Sequence, residues 1–348
     1  LESYKYIHIG PGFNASHASI GGTTVSFVQL AEYLKNKDHN SLIFTSNRWH
    51  GFFAVCRNGL RIFYKLLKYG RQAEWIVLHA SPRGVILFSP ILFFFCKWYE
   101  IRWAVRVFGG NFDDYIKNGS RLDRWIFNRF SLHCNILFLQ TKALMKQMSS
   151  SHAHLSWLPT SRRFPEQIVS RTVFGKRFIY VGQIHRAKGI TLLQQLAESL
   201  PPDYTLHLYG PILDKQFECI QQKDYYKGML SPDAVKNIWQ NYDVLLFPST
   251  HPGEGYPGVL IEAMATGMPV IANDWMSLHE LIVDGVNGFL LQSSDPSAWL
   301  QKILMLDEMV YLSLVKNVFP SVQAFRLEQV AESMLNALEN NGLQHGEK

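Results

Sequence analysis

The feature that most constrains this chain is an alternation of short apolar runs with helix-period stretches, repeated in two blocks and broken once between them. In the first block the strand-like runs fall at residues 5–10 (KYIHIG), 41–45, 75–79, 101–108 and 136–139. Helical patterns lie between them, one at 24–34 after a Gly/Ser-rich loop. Around 156–173 the pattern lapses into a segment with Pro159, Pro165 and mixed polar residues, which reads as a linker. The alternation then resumes, with strands expected at 177–181, 205–209, 244–247 and 270–272 and helices at 190–200, 234–240 and 258–266. Strand, helix, strand in succession calls for βαβ units, a parallel sheet with helices on both faces. A chain of 348 residues is long enough for two such domains, each with its own core. The expected division is 1–168, 169–325, and a last segment 326–348. That segment holds a helix at 327–339 (LEQVAESMLNALE), able to cross back to the first domain, and a polar tail expected to be disordered. Two doubly wound halves would place their working loops at the carboxyl ends of the strands, facing a shared crevice.

Composition removes several alternatives. The cysteines (Cys56, Cys96, Cys134, Cys219) are far apart, without zinc or redox spacing, and are expected to be reduced core residues of a cytoplasmic protein. The apolar run 84–96 (GVILFSPILFFFC) is interrupted by Ser89 and Pro90 and falls short of the ~20 residues that span a bilayer. It reads as a buried helix. No charged-then-apolar leader opens the chain, so an export signal is not expected. Residues 1–170 hold 21 Lys+Arg against 9 Asp+Glu, and residues 171–348 hold 13 against 19, so the halves carry +12 and −6. A basic half beside an acidic one suits an anionic surface or acceptor on one side and different work on the other. Nucleic acid is disfavoured, because the cations interleave with no binding motif and the acidic half would repel the backbone.

Three loops of the second block follow expected strands directly. Gly182-Gln183-Ile184-His185-Arg186-Ala187-Lys188-Gly189 has glycines at both ends for tight turning and two cations within three residues at a helix start. That arrangement suits a doubly charged phosphate group, although cations at helix starts are commonly only solvated. The loop from Pro248 to Pro257 leads into GVLIEAMAT, with Glu254 and Glu262 framing the helix start. Pro257 lies near the first helical turn, leaving the amides of Gly258, Val259 and Leu260 to bind an anion. Two carboxylates near free amides and two cations suit a ligand bearing hydroxyls and phosphates; the alternative is a helix start whose acids merely complement the dipole. The third loop, Gly210-Pro211-Ile212-Leu213-Asp214, reads as a structural turn.

Together these residues resemble the large retaining glycosyltransferase family four, of GT-B fold. The resemblance rests on E-x7-E in Glu254…Glu262, on Gly182…Arg186-Ala187-Lys188-Gly189, on Asp284-Gly-Val-Asn-Gly-Phe289, and on Gly21-Gly22 after the first strand. It covers roughly residues 5–300 and is densest from 178 to 291. It implies two Rossmann-like domains facing a cleft, the first on the acceptor side and the second binding the nucleotide sugar. Arg186 and Lys188 would neutralise the departing pyrophosphate. Glu254 would bind hydroxyls of the transferred sugar, with Glu262 on the ribose. Backbone at Gly182, Gly255, Tyr256, Pro257, Gly258, Val259 and Leu260 would line the donor, and Gly21 and Gly22 would let the first domain approach it. The family retains anomeric configuration and requires no metal, so no cofactor is implied beyond the donor itself, a UDP-sugar first and a GDP-sugar second.

One departure concerns the His-Gly pair that many members carry after a first-domain strand; here the corresponding place reads Phe108-Gly109-Gly110-Asn111-Phe112-Asp113-Asp114. Asn111 or Asp113 would take the polar role, and Asp113-Asp114 alone is a poor metal site. For the acceptor, residues 57–71, if helical, set Arg57, Arg61, Lys65, Lys68 and Arg71 on one arc and Leu60, Phe63, Leu66 and Leu67 on another. Such a helix suits an anionic membrane surface or, equally, a core-facing position with solvated cations. A saccharide acceptor, lipid-linked, at the inner face of a bacterial inner membrane fits the charge and the resemblance, as in surface polysaccharide or glycolipid synthesis by a peripheral enzyme. The competing reading is a catalytically inert sugar-nucleotide-binding or scaffold protein of the same fold.

Overall fold

The computed structural model describes residues 4–12, 21–37, 40–46, 52–150, 154–168 and 170–343. The chain begins β1 (Tyr6–Pro11), α1 (Gly22–Asn36), β2 (Ser41–Ser46), α2 (Phe52–Tyr69), β3 (Trp75–Ala80), α3 (Pro82–Trp98) and β4 (Arg102–Val107). It continues through α4 (Phe112–Asn118), α5 (Arg121–Arg129), β5 (Ile136–Leu139), α6 (Lys142–Met148) and β6 (Leu155–Trp157). The second block runs β7 (Arg177–Val181), α7 (Ile190–Ser199), β8 (Thr205–Tyr209), α8 (Pro232–Ile238), β9 (Val244–Phe247), α9 (Gly258–Ala265), β10 (Val270–Asn273) and β11 (Gly288–Leu291). Helices α10 (Pro296–Leu304), α11 (Glu308–Ser321) and α12 (Leu327–Leu343) complete it.

Two compact units result, Leu1–Ser161 with Leu327–Lys348, and Arg162–Arg326. The first holds a six-stranded sheet, β2-β1-β3-β4-β5-β6, and the second a five-stranded sheet, β11-β10-β9-β7-β8, with every described pairing parallel. Central parallel strands are covered on both faces and must be apolar throughout. Accordingly all six residues of β3 and all four of β5 and β9 are buried. In the first unit Ile7, Ile76 and Val105 point to one face, packed with Leu66 of α2, Leu92 of α3 and Phe127 of α5. Tyr6, Trp75, Val77 and Ala104 point to the other, beneath α1 and α12.

Helix α12 joins the first unit through Leu327, Val330, Ala331, Met334, Leu335 and Leu338, spaced three and four apart as a single apolar stripe demands. They meet Leu30, Leu34 and Trp75. The chain changes unit at Ser161/Arg162, earlier than the expected 168/169. Residues Leu158 to Arg162 are buried rather than a solvated linker, tied by Ser161 to Ser26 and by the Arg162 N–H to the Phe325 carbonyl at 3.0 Å.

Other expectations need correction. In α2 the core-facing residues are Ile62 and Leu66, whereas Leu60 (70% exposed), Phe63 and Tyr64 face outward with Arg57, Arg61 and Lys68. Helix α3 is buried on one side only, because Leu87, Phe94 and Trp98 are exposed. Cys96 and Cys134 are buried free thiols, but Cys219 is exposed, on a 3-10 segment whose apolar side is supplied by Phe217 and Ile220. The Gly/Ser-rich loop after β1, the Cys56 side chain and the tail from 344 lie outside the described residues.

Candidate active site

Taken in chain order, the second sheet reads 2-1-3-4-5, and its order reverses between β7 and β9. In open α/β sheets ligands bind outside the carboxyl ends of the strands at such a reversal. The loops leaving these two strands are 182–189 and 248–257. The first is held by the Gly182 N–H on the Tyr209 carbonyl (3.0 Å) and the Ile184 N–H on the Pro211 carbonyl (2.9 Å). Residues Arg186–Lys188 form a 3-10 turn, and Gly189 follows with φ 75°, a left-handed conformation open to glycine. A Cβ there would lie 2.5 Å from the Pro248 carbonyl oxygen, so the glycine lets the two loops touch. The Thr250 N–H donates to the Ala187 carbonyl at 2.9 Å and joins them.

This contact brings Lys188 and Glu254 together. The Lys188 ammonium pairs with the Glu254 carboxylate, which also accepts from Ser249 Oγ at 2.9 Å. Glu254 is only 8% exposed, and a carboxylate so buried requires such partners. Arg186, two residues before Lys188, is exposed and makes no ion pair with a described residue. His185 and His251 flank the cluster with ring centroids 6.0 Å apart. Burial, then the Lys188 and His251 charges, hold the His185 pKa below its usual value, so that it is neutral at pH 7. His251 is fixed by the Gly253 N–H on its Nδ1 (3.0 Å) and by Trp275 Nε1 donating to its carbonyl (3.0 Å).

Helix α9 leaves the second loop with Pro257 as its extended N-cap. The N–H groups of Gly258 and Val259 have no intrahelical acceptor. That of Leu260, expected from sequence to be free with them, instead donates to the Pro257 carbonyl at 3.1 Å, and its side chain is in the core. Tyr256 is buried as well, its hydroxyl donating to the Glu280 carboxylate and its ring edge-on to Phe325. Glu262 is held apart from Glu254. Arg162 Nε donates to Glu262 Oε1 at 2.6 Å, and the guanidinium, 3% exposed, lies against Gly258, where any Cβ would overlap it. The two carboxylates are thus matched to separate cations, Lys188 and Arg162, rather than sharing Arg186 and Lys188.

Several expected residues serve the scaffold. Gly210 has φ 142° and packs against the Gly182 carbonyl, and Asp214 caps the next 3-10 segment. Asp284 accepts from the Leu290 N–H (2.9 Å), and Asn287 accepts from the Val283 N–H (2.8 Å) while donating to the Leu281 carbonyl, which shapes the turn into β11. In the first unit Gly21 is the extended N-cap of α1 and Gly22 its first residue. Asn111 precedes α4 without a side-chain cap, and Asp113 pairs with Lys117 at 2.6 Å. Among the described residues no three His, Cys, Asp or Glu side chains gather as a metal site.

Sequence reasoning missed Arg162, Ser249, His251 and Trp275 here. In the first unit it also missed a buried pair on the neighbouring strands β1 and β3, His8 Nδ1 and His79 Nε2, 3.1 Å apart. Their outer nitrogens have no partner among the described residues. Burial brings the His8 pKa down to about 3 and, with the His8 and Arg106 charges, lowers that of His79.

Two doubly wound parallel sheets, the second with a charged cluster at its switch point, define the architecture of GT-B glycosyltransferases. Residues 175–308 match the family model of glycosyl transferases group 1. Anabaena HepE, solved in complex with UDP-glucose, superposes with a TM-score of 0.73 at 13% identity, over 96% of this chain and 99% of that one. The capsular polysaccharide biosynthesis glycosyltransferase CapM of Staphylococcus aureus is 28% identical over 179 residues, 48% of this chain and 47% of CapM. A D-inositol 3-phosphate glycosyltransferase of Corynebacterium urealyticum is 29% identical over 138 residues, 34% of this chain and 32% of that protein. The chain thus spans between about a third and a half of the length of these curated relatives.

Proposed function

We propose that this protein is a retaining, metal-independent glycosyltransferase that moves a sugar from a nucleoside diphosphate sugar, a UDP-sugar before a GDP-sugar, to a saccharide acceptor. The observation that carries the reading is the Lys188–Glu254–Ser249 cluster beside the open first turn of α9, at the switch point of a group 1 domain. Lys188 and the exposed Arg186 would hold the diphosphate and stabilise its charge as the glycosidic bond to it breaks. The Gly258 and Val259 N–H groups would add to that anion site. Glu254, freed of Lys188, would accept from hydroxyls of the transferred sugar. Glu262, oriented by Arg162, would accept from the ribose. These cations take the part that a divalent ion plays in other transferases, and this assignment gives Asp113 and Asp114 no metal role. The work of CapM in capsule synthesis supports a polysaccharide or glycolipid product. A lipid-linked acceptor is supported further by the outward-facing cations of α2, Arg57, Arg61 and Lys68, which suit an anionic membrane, and among the described residues no helix is long and apolar enough to cross one. On this reading the enzyme would work at the inner face of a bacterial inner membrane.

Thermal-shift titration with UDP, GDP, ADP and their glucose conjugates tests the reading, since a ligand that binds only the native state raises its melting temperature. Stabilisation by one diphosphate family, with turnover of its sugar that persists in EDTA, is expected. No response to any of them would refute donor binding, and binding without turnover on any acceptor would favour the inert protein.

A further inference from the structure

The first unit carries an apolar outer surface that its core does not explain. Large side chains stand out of two helices: Phe94 (61% exposed) and Trp98 (82%) on α3, and Leu122 (61%) and Trp125 (57%) on α5. They are contiguous. Phe94 and Trp125 both meet the ring of Phe130, at 5.7 and 5.6 Å between centroids, Trp98 follows Phe94 by one helical turn, and Leu122 precedes Trp125 by three residues. Beneath them Phe93 packs against Phe94 and Phe130, so the knobs rise from a rigid aromatic base.

Cations ring the same base. Lys97 Nζ lies 5.7 Å from the Phe93 centroid, and the Arg129 guanidinium lies 5.6 Å from that of Phe93 and 5.7 Å from that of Phe130. Exposed Arg121 stands beside Leu122. Asp123, the one acid of α5, is spent on the Ser120 N–H in a capping box and is half-buried, and Glu100, just past α3, is exposed. Tryptophan and phenylalanine knobs in a collar of Lys and Arg match the two layers of a phospholipid surface, apolar at acyl depth and anionic at the phosphates. A second copy of the chain would fit worse, since a twofold contact through this face sets Lys97, Arg121 and Arg129 against their own images.

We propose that the outer face of α3 and α5 is an interfacial anchor that seats in the headgroup region of an anionic bilayer. The rings enter the interface, and the cations take the lipid phosphates. It shares the membrane with the acceptor reading above but depends on neither donor nor acceptor. It also differs in kind from the basic arc of α2, because apolar insertion resists salt and ionic attraction does not.

The test is sedimentation of the full chain with phosphatidylcholine vesicles, with and without phosphatidylglycerol, at ~0.1 M and ~0.5 M salt. Phe94→Ser/Trp98→Ser/Trp125→Ser is compared with Arg61→Glu/Lys65→Glu/Lys68→Glu, and circular dichroism and sedimentation velocity check fold and association state. The first variant should lose about tenfold of the binding that persists at high salt and keep its fold, because the side chains removed are exposed. The second should lose only binding that salt removes. Vesicle binding by the aromatic variant equal to the parent's overturns the anchor. So does a parent chain that binds no vesicles, or one that self-associates through these residues while the monomeric variant still binds lipid as the parent does. Turnover on a soluble acceptor should be the same in the parent and the aromatic variant, so a failed anchor leaves the transfer reading standing.

Discussion

Replacing Gly258 by alanine sets two physical effects against each other with opposite signs. Gly258 opens α9 without a positive φ, so helix propensity alone predicts a gain of about 0.5–1 kcal/mol. Packing predicts the reverse, because the new Cβ would overlap the Arg162 guanidinium. That group is the end of a flexible side chain and will move before the backbone does. The cost is then the Arg162–Glu262 pair, at 2.6 Å with the arginine 3% and the Glu262 side chain 26% exposed. Hydrogen bonds to charged groups contribute about 1.5–3 kcal/mol, and the partial exposure of Glu262 keeps the loss below the ~3–5 kcal/mol of a fully buried broken pair. Subtracting the helix gain leaves a net destabilisation of about 1–2 kcal/mol, or a melting temperature lower by roughly 2–8 °C for a unit of this size. Denaturant unfolding of Gly258→Ala, Arg162→Ala and the double variant reads the coupling directly. With Arg162 already removed, the alanine should be neutral or stabilising. If Gly258→Ala is more stable than the parent, or the two changes simply add, the guanidinium does not occupy this place.

Three further outcomes follow from the same geometry. Lys188→Ala should lower kcat/KM by ~10²-fold or more with circular dichroism unchanged, and full activity would remove Lys188 from the mechanism. Glu262→Ala should weaken free nucleoside diphosphate in calorimetry, whereas Glu254→Gln should bind it as well as the parent or several-fold more tightly while losing transfer; equal losses in both would refute the division of roles. Stability should fall below pH 6.5, because His8 is neutral when folded, with its pKa near 3, but gains a proton when unfolded. The slope from that residue approaches about 1.4 kcal/mol per pH unit between 6.5 and 3 and vanishes above 6.5. Comparing His8→Phe with the parent at pH 7.5 and 5 isolates it, and identical losses would show that the pair is not held neutral.

What could be read in the sequence was what neighbouring residues decide together. The bounds of β5, β7 and β9 were legible because a buried parallel strand is a nearly continuous apolar run between polar residues, as in VLLF and ILFL, and those of the edge strand β8 by its alternation, TLHLY. Strand β6 was not, since LSW is three residues long and half-buried at a sheet edge. In α2 the outward-facing Leu60 and Phe63 were read with the inward-facing Leu66 as one arc, because periodicity shows a helix has an apolar side without saying which of two sides meets the core. Arg162 was passed over for a different reason. It lies in a stretch without periodicity, and its partner is 100 residues away. Such a contact is a product of the closed fold, whereas Lys188 and Glu254 stood out by their place in loops at the ends of neighbouring strands.

The difference between the two ion pairs bears on how the donor would be admitted. Lys188 and Glu254 pair across two loops at the mouth of the sheet, their side chains 17% and 10% exposed, beside the open amides of α9. An incoming diphosphate carries more charge than one carboxylate and accepts from several donors at once, so it can displace Glu254 from Lys188. The displaced carboxylate must then find donors, and the hydroxyls of the attached sugar are the ones that arrive with the diphosphate. Arg162 and Glu262 offer no such exchange. The guanidinium is 3% exposed and lies against Gly258, and its Nε donates to one oxygen of Glu262, whose side chain stays 26% exposed. One pair therefore suits a partner exchanged during the reaction, the other a carboxylate fixed in advance for a ribose. On the proposed reading, the free protein would keep Lys188 neutralised until the diphosphate that needs it is present.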